Sequence, residues 1–444
     1  MEALTTLPAH FDEPIMPVGV LYRPLKQAAL DRYVKRTRER FGLKLVSRRD
    51  GFDAPMQMLR EGGLVAVLFD QNAGTSGVLT TFFGRVASTT DLPGLIAQRF
   101  KTRVGVLYTE RTGFWQGTIH LDILADKARS TEVMLKGNTW LENRLKLSDD
   151  ICADWLWLHT RWRCQDIPEK RFRLSAKREA LEDTCEFHGW DALPRTTRFW
   201  IRMPNWLGDV VMALPLLRAL RQSRPDAELT LLAQPHFLPL LEKCGVADRL
   251  LALPKKGTSG YFKPFRQWAC EYPDVQVLFT NSTRGDLEAK CIGAPQRFGI
   301  ARPGKPRRNL THTWALPEGL NEAELHQTRL WEQFFQHFGL QGELDLTPIQ
   351  WPAEKLSGTL RIGLIPGTEN DPSKRWPVRH WRALIEKLLA EKPDATLTTY
   401  GTARDVEITS QVVDGFPTER VTDMAGKTGL VEFMDALAGL DLLI

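Results

Sequence analysis

The sequence predicts an α/β protein in three parts, one α/β region followed by two doubly wound, Rossmann-like lobes. Three observations predict it. Strand-like runs alternate with helical patterns over most of the chain, which is the mark of a parallel sheet covered on both faces. A polar, helix-forming, strand-poor stretch from Glu169 to Arg195 separates two such series, and a Pro-containing polar segment from Pro348 to Ser357 precedes a restart of the alternation. The 444 residues leave room for two or three cores at about 100–200 residues each. The expected divisions are 1–168, a linker 169–195, a lobe 196–352 and a lobe 353–444.

In the first region Val18 to Tyr22, Leu64 to Phe69, Val104 to Tyr108 and Thr118 to Ile123 are predicted strands, and Ala28 to Arg40 is a predicted helix. After the linker come a strand at Phe199 to Met203, a helix at Val210 to Arg221 and a strand at Glu228 to Ala233. The third series has strands at Leu360 to Ile365 and Ala395 to Tyr400, helices at Arg379 to Ala390 and Asp405 to Val412, and the start of a strand at Asp441 to Ile444. Two such lobes predict a cleft, with ligands at the carboxyl ends of the strands.

A hydrophobic fraction of 43% and a charged fraction of 25% exclude wholesale disorder and fibrous repeats. The net charge of +5 is modest, but basic residues cluster from Lys35 to Arg40, at Arg48 and Arg49, and from Lys170 to Arg178. Each run is either a solvated helix face or a contact for an anionic membrane surface, a phosphorylated lipid or an acidic carrier protein. Nucleic acid is not expected, since no recognised module accompanies the charge. Six cysteines without close spacing imply reduced thiols in a cytoplasmic protein and no metal site. No apolar run is long enough to span a membrane and no signal segment follows Met1, so any membrane contact is expected to be peripheral.

Two segments carry the candidate chemistry. Arg202-Met203-Pro204-Asn205-Trp206-Leu207-Gly208-Asp209 lies between a strand and a helix and places Asp209 on a strand-end loop. The helix dipole, roughly half a positive charge at that end, keeps a carboxylate ionised, and such a group can take a proton from a hydroxyl. An N-cap would use the same residue without catalysis. Gly363-Leu364-Ile365-Pro366-Gly367-Thr368 leads through Glu369 to Lys374-Arg375-Trp376. A small-residue turn lets backbone N–H groups approach phosphate, and Lys374 can neutralise a diphosphate leaving group. An ordinary connection anchored by Trp376 fits the same residues.

Together the two segments resemble the heptosyltransferases of glycosyltransferase family 9, which move heptose from ADP-heptose onto the inner core of lipopolysaccharide. The resemblance runs from about Thr196 to the last residue and includes Leu278 to Ser282, Arg297 to Ile300 and Arg307-Arg308. It implies a two-lobed GT-B fold, inversion without a metal, Asp209 as general base and Lys374 on the donor diphosphate. Thr368 and Glu369 would line the donor turn, and Asp405 would lie near the donor nucleoside. In the family a further turn and helix touch the donor after a strand like Asp441 to Ile444, so an incomplete donor lobe is expected.

The first region resembles the late lauroyl/myristoyl acyltransferases of lipid A synthesis. The resemblance rests on Tyr22-Arg23-Pro24, Asp70-Gln71 after the Val65 to Phe69 run, Phe82-Phe83-Gly84, and Ala153 to Arg163. It implies that Arg23 holds phosphate of the glycolipid or of the donor's phosphopantetheine, that Asp70 and Gln71 order the site, and that Arg161 and Arg163 lie on a basic closing segment. The family's catalytic His and acid precede the Tyr-Arg-Pro strand. Glu2 falls near the acidic position, the His would precede Met1, and His10 is wrongly spaced. An N-terminally truncated, inactive acyltransferase-like domain is therefore expected.

The expected function is heptose transfer in lipopolysaccharide assembly at the cytoplasmic face of the bacterial inner membrane. The implied partners are lipid A or core glycolipid, a nucleotide sugar and acyl carrier protein. No cofactor is expected, only ADP-heptose and an acyl carrier protein thioester or acyl-CoA as substrates. A non-catalytic scaffold binding lipid or acyl carrier, and a glycosyltransferase using another nucleotide sugar, stay open.

Overall fold

The computed structural model describes residues 5–10, 17–47, 51–114, 116–349, 351, 358–368 and 372–444. The chain forms two compact units, one of Met1–Thr197, Leu220–Ala227 and Gln333–Gly342, the other of Arg198–Ala219, Glu228–Glu332 and Glu343–Ile444.

In the first unit β1 (Val18–Tyr22) lies between β2 (Lys44–Ser47) and β3 (Leu64–Ala66) and runs parallel to both. Helices α1 (Ala28–Glu39) and α2 (Asp53–Arg60) make the two crossovers. Val18, Val20, Leu43 and Leu45 form the core of this small sheet. The parallel alternation then stops. β4 (Val78–Phe82) pairs antiparallel with β5 (Arg85–Thr89), and β6 (Arg103–Gly113) pairs antiparallel with β7 (Gln116–Asp126). Only two residues join each pair, and a parallel return needs a dozen or more. At the first of these turns Phe83 and Gly84 both have positive φ, 53° and 69°, as the tightest hairpins require. Helices α3 (Leu92–Phe100), α4 (Ser130–Leu145) and α5 (Asp149–Asp154) complete this part.

The stretch expected to be a linker is structured. It contributes β8 (Arg178–Glu179), which pairs with β4, and helix α6 (Leu181–His188). Phe172 is completely buried, with its ring 4.9 to 6.4 Å from those of Phe334, Phe335 and Phe338. An aromatic side chain buries 150–250 Å², which is more than a solvated tether would place out of water.

The second unit contains two parallel sheets. The larger has six strands in the order β11-β10-β9-β12-β13-β14, built from β9 (Thr197–Arg202), β10 (Ala227–Ala233), β11 (Arg249–Ala252), β12 (Val275–Leu278), β13 (Gln296–Ala301) and β14 (His312–Ala315). The helices that accompany it are α7 (Leu207–Ser223) and α11 (Gln327–His337), whose last residues belong to the first unit, with α8 (Leu238–Cys244), α9 (Lys263–Trp268) and α10 (Thr283–Ile292). Every residue of β12, and every residue of β9 except Arg198, is buried, as expected for a sheet covered on both faces. The strand order reverses between β9 and β12, and in such sheets ligands bind outside the carboxyl ends at that point.

The smaller sheet has the order β17-β16-β15-β18, from β15 (Arg361–Leu364), β16 (Thr396–Thr399), β17 (Val421–Asp423) and β18 (Leu442–Leu443), all parallel. Helices α12 (Val378–Glu391), α13 (Val406–Val413) and α14 (Leu430–Ala438) connect them. Ile362, Leu364, Ile385, Leu397 and Val412 make its core. Among the described residues no helix is long and apolar enough to cross a membrane, and the six cysteines carry free thiols.

Candidate active site

In the first unit the residues singled out from sequence are only partly assembled. Arg23 follows β1 and is exposed, whereas Asp70 and Gln71 gather around another residue, Arg161. Trp155 Nε1 donates to Asp70 Oδ2 at 3.4 Å, and Arg161 Nη1 donates to the Gln71 carbonyl at 2.7 Å. Arg161 is fully buried rather than lying on a basic surface, while Arg163 is exposed. Its guanidinium also donates to the Ser88 carbonyl at 2.6 Å, Thr89 Oγ1 at 2.9 Å and Asn138 Oδ1 at 3.0 Å. Burial lowers its pKa to about 10, opposed by the charge of Asp70. Arg161 therefore acts as an internal brace.

The segment from Trp155 to Trp162 is a series of turns after α5. Trp155 and Trp162 both pack on Phe82, with ring centroids 5.6 and 5.8 Å away. Glu2 lies outside the described residues.

In the second unit Asp209 sits in the first turn of α7, not on the loop before it. Val210, Ala213, Leu214 and Leu217 are buried at helical spacing, which fixes the helix and leaves Asp209 on its flank. Burial raises the Asp209 pKa above the usual carboxylate value. The surroundings of the helix end are open, since a Cβ at Gly208 would meet nothing within 4 Å and Trp206 is 55% exposed.

The loop that leads into α7 is held from below by Arg202, whose buried side chain ends β9. Its Nε donates to Glu288 Oε2 at 2.8 Å, Nη1 to the Met203 carbonyl at 2.5 Å and Nη2 to Asn205 Oδ1 at 3.1 Å. Gln234 Nε2 also donates to Asn205 Oδ1, at 3.3 Å, and the Tyr261 hydroxyl donates to Glu288 Oε1 at 2.6 Å. Burial and this bond to Glu288 push the Tyr261 pKa upward. β9, the loop and α10 are thus tied at one point.

The turn after β12 has a matching anchor. Arg307 pairs with Asp286 and donates to the Thr280 carbonyl at 2.8 Å and Asn281 Oδ1 at 3.1 Å. A Cβ at Gly299 would come within 2.5 Å of Arg307 Nη1, so this position has no space for a side chain. Both turns at the reversal of strand order therefore rest on buried arginine–carboxylate pairs.

In the smaller sheet the turn after β15 is organised by Asp405 and Arg375. Asp405 is buried, and its Oδ2 accepts from Thr402 N at 2.9 Å and Thr402 Oγ1 at 2.7 Å. A Cβ at Gly367 would lie 2.3 Å from the Asp405 carboxyl group, so Gly367 lets the two strand-end turns touch. Arg375 donates to Thr368 Oγ1 at 3.3 Å and to the Thr368 carbonyl at 3.1 Å, and lies 4.0 Å from Asp405 Oδ1. Lys374 is exposed at the end of the short helical turn Pro372–Lys374. Glu369 lies outside the described residues. Trp381 packs in the core while Trp376 stays 46% exposed, so the anchor of this connection is Trp381.

Residues 10–164 match the family described as bacterial lipid A biosynthesis acyltransferase. Residues 329–444 match glycosyltransferase family 9 (heptosyltransferase). Over 275 residues the chain is 33% identical to lipooligosaccharide heptosyltransferase 2 of Haemophilus influenzae, covering 54% of this chain and 75% of that protein. The chain belongs to the family 9 heptosyltransferases. Lipopolysaccharide heptosyltransferase 2 of Escherichia coli is 24% identical over 273 residues, 54% of this chain and 74% of that protein. The glycosyl transferase family 9 structure from Veillonella parvula shares 19% identity at a TM-score of 0.49, over 57% of this chain and 76% of that one.

The expected architecture is therefore present: an acyltransferase-type region precedes a heptosyltransferase, and the enzyme class is glycosyltransferase. In this heptosyltransferase Thr368, Lys374 and Asp405 fall within the family 9 match. Sequence reasoning passed over Glu288, Tyr261 and Arg375. Arg202 carried a faint signal, a charged residue closing a strand that is otherwise apolar in its last positions. Glu288 carried none, because it is 86 residues from its partner.

Proposed function

We propose that this heptosyltransferase transfers heptose from ADP-heptose to a lipid A or inner-core acceptor of lipopolysaccharide. The observation that carries the reading is Asp209, a half-buried carboxylate with a raised pKa at the open amino end of α7, following the strand where the sheet order reverses. A base works best when its pKa approaches the working pH. Asp209 takes the proton of the acceptor hydroxyl as that oxygen bonds to the anomeric carbon. The bond from that carbon to the diphosphate breaks on the opposite face, the anomeric centre inverts and ADP leaves.

Lys374 offsets the charge developing on the diphosphate, in place of a metal or other cofactor. Thr368 lines the donor turn, and Asp405 supports it from beneath. In the acyltransferase-type region Arg23 binds phosphate, of the glycolipid or of an acyl carrier protein thioester or acyl-CoA, with Asp70 and Gln71 ordering the loop beside it. The enzyme works peripherally at the cytoplasmic face of the inner membrane. ADP release from ADP-heptose with a lipid A–sugar acceptor tests the reading: Asp209→Ala is expected to abolish it, and equal release by both proteins overturns it.

A further inference from the structure

Helix α1 has twelve residues and buries none of them. Most helical stability in proteins comes from packing an apolar face, so a helix without a buried residue has another use. Its two acids are turned toward the protein. Asp31 accepts from the Leu25 backbone N–H at 2.8 Å and from the Tyr22 hydroxyl at 3.2 Å, and Glu39 accepts from the Leu45 backbone N–H at 2.9 Å.

The outward side is basic. Arg32, Arg36 and Arg40 follow one another at intervals of four, so they form one stripe along the exposed face. Among the described residues no carboxylate pairs with any of the three. Like charges at this spacing repel and destabilise a helix. Beside the stripe Leu30 and Tyr33 are 48% and 59% exposed, and Leu25, just before the helix, is 43% exposed.

We infer that α1 docks on an anionic phospholipid bilayer, its arginine stripe meeting headgroup phosphates and Leu25, Leu30 and Tyr33 entering the boundary with the acyl chains. An arginine fork matches phosphate geometry, and a helix lying in the interface combines such a polar face with apolar and aromatic residues. An acidic soluble protein would satisfy the charge but leaves the leucines and tyrosine unexplained. The inference rests on the peripheral-membrane reading above and names the surface that makes the contact.

The test is cosedimentation of the full chain with vesicles of phosphatidylethanolamine and phosphatidylglycerol, against vesicles of phosphatidylcholine. Wild type is expected to bind the anionic vesicles, less well as salt rises. Each basic residue near an anionic surface is worth about a factor of five, so the triple variant Arg32→Gln, Arg36→Gln, Arg40→Gln should bind on the order of 100-fold more weakly. Leu30→Ser with Tyr33→Ser should also weaken binding. Lys387→Gln, on an exposed lysine of α12, should not. Glutamine keeps helix propensity, and circular dichroism verifies that the fold persists. If wild type ignores both kinds of vesicle, the peripheral-membrane reading falls and this inference with it. If wild type binds and the triple variant binds equally, the assignment of α1 alone falls. Equal binding to phosphatidylcholine, or arginine-dependent capture of acyl carrier protein without vesicle binding, also overturns it.

Discussion

Each unit of the molecule buries an arginine beneath a strand-end turn, and the two arginines are neutralised in different ways. Arg202 meets the carboxylate of Glu288 and then reaches on to Met203 and Asn205. Among the described residues Arg161 donates only to neutral oxygens, from Gln71, Ser88, Thr89 and Asn138, with the charge of Asp70 acting from beyond hydrogen-bond range. Burial consequently lowers the pKa of Arg161 to about 10. A paired arginine can hold a loop whose next residues stay open to solvent, as at Trp206 to Asp209. An arginine wrapped in carbonyls and hydroxyls organises an interior and leaves little of itself for chemistry.

The largest expected effect tests whether the loop above Arg202 carries a reacting group. Asp209→Asn should slow ADP release by about 100- to 10,000-fold, the usual worth of a general base. Asp70→Asn, at the corresponding place beside Arg161, should leave the rate unchanged. In wild type the initial rate should fall as pH drops through the Asp209 pKa, which burial holds above the ordinary aspartate value of about 3.9. Because that folded-state pKa is raised, ionised Asp209 costs stability once pH exceeds it. The asparagine variant should therefore melt no lower than wild type at neutral pH, and a clear drop in Tm would reassign Asp209 to a structural cap.

A second test compares the two ways of neutralising a buried guanidinium. Glu288→Ala leaves Arg202 buried without its partner and should cost about 3–5 kcal/mol in urea denaturation. Asn138→Ala removes one neutral acceptor from Arg161 and should cost about 1–3 kcal/mol. The reverse order would break the comparison. The smallest effect is expected for Asp70→Asn, a partly exposed carboxylate that acts on Arg161 from a distance, at about 1 kcal/mol or less.

The gap between the sequence reading and the structure follows the same division. In the second unit the expected strand at Glu228 to Ala233 is Ala227–Ala233 and the expected helix at Arg379 to Ala390 is Val378–Glu391, because apolar periodicity and buried strands dominate there. In the first unit the predicted strand from Leu64 to Phe69 ends at Ala66, and Phe69 packs beside the Phe82 cluster instead. The 169–195 stretch looked like a linker because most of its residues are polar. The single ring of Phe172 and the short strand β8 tie it into the fold.

By itself the sequence determined much of the succession of strands and helices in the second unit and the place of Asp209 and Lys374 near strand ends, since these depend on residue spacing within a few turns of chain, while a resemblance to two families supplied the acyltransferase-type and heptosyltransferase-type parts. Tertiary structure alone decided which charges are buried and what they meet. Arg202 finds Glu288 at a separation of 86 residues, and Arg161 finds Gln71 at 90. A charge can leave water only where partners converge from several elements, and that convergence exists only once the chain has folded.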